Sequence, residues 1–204
     1  MRSVGIFVFP GIQTLDLFGP VEMLGGFFDA LSLVFVGETS DPIVTRHGQR
    51  ILPDKTIDDG DRYDLLLIPG GDSALEVPKR PAAMAWLRAA TDNAELVMTV
   101  CTGSILLAMT GKLDGRRATT NKADFRATVP LGPNVRWVKK ARWVQDGKFF
   151  TSSGVSAGMD MSLAAAASLF GEAAAQEMAD GCEYDWHRDP DWDPFAAKSG
   201  LVGE

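Results

Sequence analysis

Leu96-Val97-Met98-Thr99-Val100 is an apolar, β-branched run of strand length that stops at Cys101. Thr102-Gly103-Ser104 then opens a second apolar run, Ile105-Leu106-Leu107-Ala108-Met109, which reads as a helix beginning. A strand that turns straight into a helix points to an α/β architecture, and it puts a cysteine on the elbow between the two. At such a turn the side chain is thrust clear of the sheet and faces the first helical N–H groups, which lack intrahelical partners and carry the positive end of the helix dipole. That setting favours thiolate over thiol and predicts a pKa well below the ordinary value of about 8.5. Cysteine is also among the most buried residue types, so Cys101 taken alone fits a small core residue as readily as a nucleophile.

The chain upstream supplies what a nucleophile needs. Leu65-Leu66-Leu67-Ile68 is a second buried, parallel-type strand, and Pro69-Gly70-Gly71-Asp72 turns it with no Cβ to keep a ligand from the backbone. The N–H groups of Gly70, Gly71 and Thr102 are therefore the expected donors for developing negative charge. Residues 4–9 read as the first strand, Gly11-Ile12-Gln13 as its turn, and the helix after it carries Asp16 between apolar neighbours. Asp16 reads first as an N-cap and second as an active carboxyl, since it follows the carboxyl end of a strand, where α/β sites are built.

Further along, 31–36 is a strand, 44–53 a hairpin closed by His47-Gly48, and 81–90 a helix. Residues 118–121 form a short strand, 122–128 a short helix, and 142–151 a hairpin about Asp146-Gly147. The Gly/Ser-rich loop 152–160 opens a helix over 161–170, with Asp160 in its first turn, where the dipole accounts for it. Cys182 falls at a helix end and reads as structural, and the Asp-, Trp- and Pro-rich tail from Tyr184 reads as an irregular strap.

With 204 residues and 46% hydrophobic content, the chain suits one domain, 1–204, whose core needs neither metal nor disulfide. Two cysteines make no disulfide framework, and no Cys/His cluster has metal spacing, so the expected setting is the reducing cytoplasm with no metal bound. The N-terminus lacks a signal-peptide pattern, no run approaches a membrane span, and a net charge of −7 opposes a nucleic-acid partner. His47 reads as a solvated turn residue and His187 has no ligand-spaced partner. Neither falls at a strand end, which disfavours a thiol hydrolase built on a Cys-His-acid triad. What remains is a thiol assisted by Asp16, with Thr102 adjacent. A carboxylate facing a thiolate keeps a proton to give away, which suits adding sulfur to an electrophilic carbon and protonating the product.

Taken together, Phe9-Pro10-Gly11, Leu15-Asp16-Leu17-Phe18-Gly19-Pro20, Ile68-Pro69-Gly70-Gly71, Val100-Cys101-Thr102-Gly103, Gly115-Arg116-Arg117-Ala118-Thr119-Thr120 and Ser153-Gly154-Val155-Ser156-Ala157-Gly158-Met159-Asp160 resemble the ThiJ/PfpI superfamily. This class I glutamine amidotransferase-like group is matched from the first strand to about Tyr184, and its isonitrile (isocyanide) hydratase subgroup is the most similar part. The resemblance implies a flavodoxin-like, three-layer α/β/α sandwich with a mostly parallel central sheet and a nucleophile elbow. It also implies a homodimer without cofactor that hydrates a small isonitrile to an N-substituted formamide through a thioimidate. Cys101 would be the nucleophile, Asp16 the acid/base and Thr102 a supporting hydroxyl, with Phe18, Val155 and Met159 holding the substrate's alkyl or aryl group. Many relatives carry Glu where this chain has Asp16, and His either after the cysteine or at the position of Asn121. The residues here favour the hydratase over protease, deglycase or glyoxalase activity. The same core resembles the ligand-sensing half of AraC-type regulators, although a chain ending at Glu204 leaves no room for a helix-turn-helix module. A redox- or electrophile-responsive protein and a small-molecule sensor are the alternatives.

Overall fold

The computed structural model describes residues 1–203. Strands and helices alternate in chain order through β1 (Arg2–Phe7), α1 (Thr14–Gly25), β2 (Leu31–Gly37), the small hairpin β3 (Ile43–Val44) and β4 (Arg50–Ile51), and β5 (Lys55–Thr56). Next come β6 (Leu65–Ile68), α2 (Pro81–Asn93), β7 (Leu96–Val100), α3 (Gly103–Met109), β8 (Arg117–Ala118), α4 (Phe125–Thr128) and β9 (Arg136–Trp137). The hairpin β10 (Trp143–Asp146) and β11 (Phe149–Ser152) leads into α5 (Ala157–Phe170), α6 (Glu172–Gly181) and α7 (Pro194–Lys198).

The central sheet runs β10-β11-β7-β6-β1-β2-β5, and within it only the β10–β11 pair is antiparallel. Each residue of β6 and of β7 is buried, which is why both strands are unbroken apolar or β-branched runs rather than alternating ones. Succession along the sheet reverses between β1 and β6. The β1-α1-β2 unit steps one way and the β6-α2-β7 unit steps the other, so right-handed crossovers send their helices to opposite faces. Accordingly α1, α5 and α6 pack on one another in one layer, while α2 and α3 both pack on the 3-10 segment Asp72–Lys79. The crevice at the carboxyl ends of β1 and β6 is the reversal point at which open α/β sheets bind ligands.

Several boundaries differ from expectation: β1 occupies Arg2–Phe7 rather than 4–9, and α2 runs on to Asn93 rather than ending at 90. The strand expected over 118–121 is confined to Arg117–Ala118, because Thr119, Thr120 and Lys122 bond to one another and to neighbouring segments instead of extending a ladder. The helix expected over 122–128 begins at Phe125 behind an Asn121–Asp124 turn, and α5 starts at Ala157, four residues before the predicted 161.

The tail from Tyr184 carries the five-residue α7 and is held by two buried ion pairs. Asp160 accepts from Arg142 at 2.7 Å, from the Tyr184 hydroxyl at 2.9 Å and from the His187 N–H at 3.0 Å, so it is an anchor for the tail and not only a dipole partner. Lys122 meets Asp193, the N-cap of α7, at 3.3 Å. No helix among the described residues is long and apolar enough to cross a membrane.

The closest backbone approach lies where α3 begins. A Cβ on Gly103 would sit 2.1 Å from the Ile68 carbonyl oxygen and 2.9 Å from that of Pro69. Gly103→Ala must therefore push the elbow away from the end of β6, and the expected loss is about 3 kcal/mol of unfolding free energy in a guanidinium titration. A variant as stable as the parent would contradict this packing.

Candidate active site

Cys101 stands at φ 57°, in the left-handed region that side-chain-bearing residues seldom occupy. Backbone bonds hold it there. Its N–H is shared between the Ser152 and Ser153 carbonyls, both at 3.3 Å, so β11 fixes the residue on one side. Its carbonyl accepts from the Thr120 hydroxyl and the Ser104 hydroxyl, each at 2.9 Å, and from the Ser104 N–H at 3.3 Å. The residue is 6% exposed and lines a cleft of about 390 Å³.

Asp16 comes to the same place from α1. It does not cap that helix, as its position predicted: the N-cap is Gln13, and the Asp16 carboxylate is fully buried and turned toward β6. Its Oδ2 accepts from the Gly70 N–H at 3.1 Å. Its Oδ1 has no hydrogen-bond partner among the described residues, and the Cys101 thiol is the side chain that acts on the carboxyl. Burial pushes Asp16 up to about 7, with the Gly70 N–H and the thiol opposing that rise.

The thiol also moves opposite to expectation. Burial first, and the charge of Asp16 second, push Cys101 above its ordinary value, against hydrogen bonds from the Asn121 side chain and the Thr102 N–H. A helix start was expected to win, but α3 has only seven residues and the sulfur is shielded from water beside a carboxylate. Above about pH 7 the pair thus keeps a single proton, held by the thiol beside the ionised carboxyl, and the titration belongs to the pair.

The donors expected for an anion are already engaged. Gly70 N–H serves Asp16, while Gly71 N–H donates to Thr102 Oγ1 at 2.9 Å and the Thr102 hydroxyl returns a bond to the Gly71 carbonyl at 3.1 Å. Thr102 consequently locks the glycine turn with its hydroxyl and reaches the sulfur through its backbone. Of the three apolar residues expected around a substrate, Val155 lines the cleft and two do not. Phe18 meets Phe35 edge-on at 6.3 Å and is 38% exposed, because that side of α1 looks toward β2 and solvent. Met159 packs against Gly19 of α1 and the Met23–Leu163 cluster, between the two helices.

Several lining residues escaped the sequence reading. Gln13 and Leu75 flank the cleft, Asn121 and Asp124 form another part of its wall, and Arg46 of the β3–β4 hairpin spans to Asp72 at 2.6 Å. The hairpin is docked there by the Gly11 N–H to Val44 and the Arg46 N–H to Ile12 bonds, a register that no local pattern encodes. Both histidines lie elsewhere. His47 bonds Thr14 Oγ1 at 2.8 Å, and His187 stacks on Trp192 with ring centroids 4.0 Å apart. Among the described residues no group of three or more His, Cys, Asp or Glu side chains converges as a metal would require.

The DJ-1/PfpI family model matches residues 2–168. The sequence is similar to an isonitrile hydratase of Pseudomonas putida, 33% identical over 176 residues that cover 85% of this chain and 75% of that protein. It is 30% identical over 139 residues to the HTH-type transcriptional regulator CdhR of Pseudomonas aeruginosa, covering 68% of this chain and 41% of the regulator. A crystal structure of a ThiJ/PfpI family protein from Pseudomonas syringae superposes with a TM-score of 0.84 at 29% identity, covering 100% of this chain and 81% of that one.

The Asp16 carboxyl gives this site a stability signature. Its folded value of about 7 lies above the ordinary 3.8, so the folded state binds its proton more tightly and stability falls as pH rises from about 4 to about 7. Asp16→Asn removes that titration. Relative to the parent, the variant should gain roughly 3 kcal/mol between pH 5 and pH 8, followed by paired denaturant titrations. A difference that stays flat over that range would mean the carboxyl titrates at its ordinary value.

Proposed function

The chain belongs to the DJ-1/PfpI family, and from that premise we propose that it hydrates small isonitriles to N-substituted formamides, with Cys101 as nucleophile and Asp16 as acid and base. The observation that carries this reading is the buried Cys101–Asp16 pair, which holds one transferable proton near neutrality with no imidazole at the sulfur. The likeness to the Pseudomonas putida isonitrile hydratase supports the same substrate class.

The terminal carbon of an isonitrile accepts a nucleophile and a proton on the same atom, and the pair supplies both. Cys101 sulfur bonds to that carbon while the shared proton moves from Asp16 to it, giving R–N=CH–S–Cys and leaving Asp16 ionised. Asp16 then draws a proton from water as the water oxygen adds to the carbon, and that proton passes to nitrogen. The R–NH–CH(OH)–S–Cys adduct loses its carbon–sulfur bond, the hydroxyl proton returns to the pair, and R–NH–CHO leaves. No electrons are gained or lost, so the cycle needs no redox partner. Val155 and Leu75 offer the cleft's apolar contacts for R. Leu15 and Phe18, one helical turn apart on α1 and each 38% exposed, suit the apolar centre of a homodimer interface.

The similarity to a regulator supports a second reading, in which the cleft senses a small ligand without turnover. Formamide release from p-nitrophenyl isonitrile separates the two. The parent should turn over, Cys101→Ala should abolish it, and Asp16→Asn should lower kcat by about 100- to 10,000-fold. Because the active pair carries one proton, kcat/KM should climb as pH rises through about 7 and then level off. A folded parent with a titratable Cys101 and no formamide would sink the hydratase reading, and ligand binding retained by Cys101→Ser would then favour the sensor.

A further inference from the structure

Asn121 is a polar side chain of the Cys101 cleft that the hydration cycle leaves unused. It shares the cleft wall with Cys101, and the Thr120 hydroxyl that precedes it ties the same segment to the Cys101 carbonyl at 2.9 Å. Gly154 packs against both residues. A Cβ there would lie 2.9 Å from Asn121 Cβ and 3.8 Å from Cys101 Sγ, so a bare glycine is what lets the carboxamide and the thiol stand on either side of one residue.

The direction of the amide is fixed by two bonds to Asp124. Asn121 Oδ1 accepts from the Asp124 N–H at 3.1 Å, and Asn121 Nδ2 donates to Asp124 Oδ2 at 2.9 Å. Exchanging the amide oxygen and nitrogen would set N–H against N–H and oxygen against carboxylate, so only one orientation satisfies both. In that orientation Nδ2 has one hydrogen on Asp124 and a second left to give within the cleft that also holds the Cys101 sulfur. The Gly70 and Gly71 N–H groups are engaged elsewhere, whereas the carboxamide keeps one hydrogen to give on the far side of Gly154 from the sulfur.

We propose that Asn121 is a further catalytic residue, a pre-oriented hydrogen-bond donor that stabilises charge on the Cys101 sulfur. A carboxamide neither takes nor gives a proton near neutrality, so it leaves proton transfer to Asp16 and acts only on the sulfur's charge. That charge appears twice in the hydration cycle, as sulfur attacks and as the carbon–sulfur bond breaks. The role in turnover rests on the hydratase reading. The effect on the resting thiol does not.

The pH dependence of Cys101 alkylation by iodoacetamide tests this directly, in a Cys182→Ser background that removes the other free thiol. A hydrogen bond to a charged group lost in Asn121→Ala should move the alkylation midpoint upward by about one pH unit and slow the reaction roughly tenfold at pH 8. Asn121→Ser, which keeps an oxygen for the Asp124 N–H, should show the same direction. Asn121→His, which regains a ring N–H donor, should recover part of the rate. If hydration is observed, Asn121→Ala should lower kcat with KM little changed. An unchanged midpoint in folded Asn121→Ala, or in Asn121→Ser should the alanine variant fail to fold, overturns the proposal whatever the turnover. A raised midpoint without any hydration overturns the hydratase reading alone.

Discussion

A non-glycine residue in the left-handed region costs on the order of 1–3 kcal/mol, and at Cys101 the rest of the sheet is arranged to hold that conformation. β7 lies between β6 and β11, so one neighbour's end accepts the Cys101 N–H and the other's presses against Gly103. The Thr120 and Ser104 hydroxyls close on the carbonyl. With its N–H, its carbonyl and the following residue all fixed, the side chain has only its own rotation left. Relaxing φ toward the ordinary helical range would break several of these bonds at once.

The reversal of the sheet between β1 and β6 does the complementary work. Helices leaving to opposite faces open a crevice, and the two turns that border it are stitched by the Ile12–Gly71 bridge and the Gln13 N–H to Gly70 carbonyl bond at 2.9 Å. Asp16 enters from one turn, Gly70 from the other, and Thr102 from the elbow. Asp16 Oδ2 takes the Gly70 N–H and Thr102 Oγ1 takes the Gly71 N–H, so the glycine-rich turn carries no unpaired N–H while Asp16 Oδ1 is left facing the thiol's side of the site. The consequence is that charge forming on the sulfur does not meet a free pair of glycine amides.

Local pattern made much of this legible. Unbroken apolar runs identified β6 and β7, and the abrupt change of period at Cys101 located the elbow. The placement of Asp16 after the first strand was legible too, but not which way its carboxyl turns. Rotation about a helix axis decides that, and it equally decides that Phe18 faces β2 and Met159 faces α1. Whether a backbone amide is free depends on what approaches it across the fold: 31 residues separate Thr102 from Gly71, and 54 separate Asp16 from Gly70. The buried pairs Arg142–Asp160 and Lys122–Asp193 join segments that are likewise distant, so the dipole sufficed for Asp160 until the tail's position was known. Asn121 registered only as a departure from histidine, since its bonds to Asp124 and its place beside the sulfur exist once the chain before α4 has turned.

Placing a carboxyl where thiol hydrolases use an imidazole changes what the pair can do. Burial lifts Asp16 to about 7, into the range of an unperturbed histidine, so the proton is available at the same pH. The charges differ. An imidazole that takes the thiol proton becomes a cation and stabilises the thiolate beside it, whereas a carboxylate that gives its proton up becomes an anion and opposes one. This pair therefore rests as one proton between two bases, not as a thiolate–cation pair awaiting an acyl group. Cleaving an amide asks for a thiolate in advance and a cation to protonate the departing amine. An isonitrile carbon asks for sulfur and proton together, at one atom, from groups that end the step with a single negative charge on the carboxylate. Of the two chemistries, a buried Cys101 facing Asp16 is matched to the second.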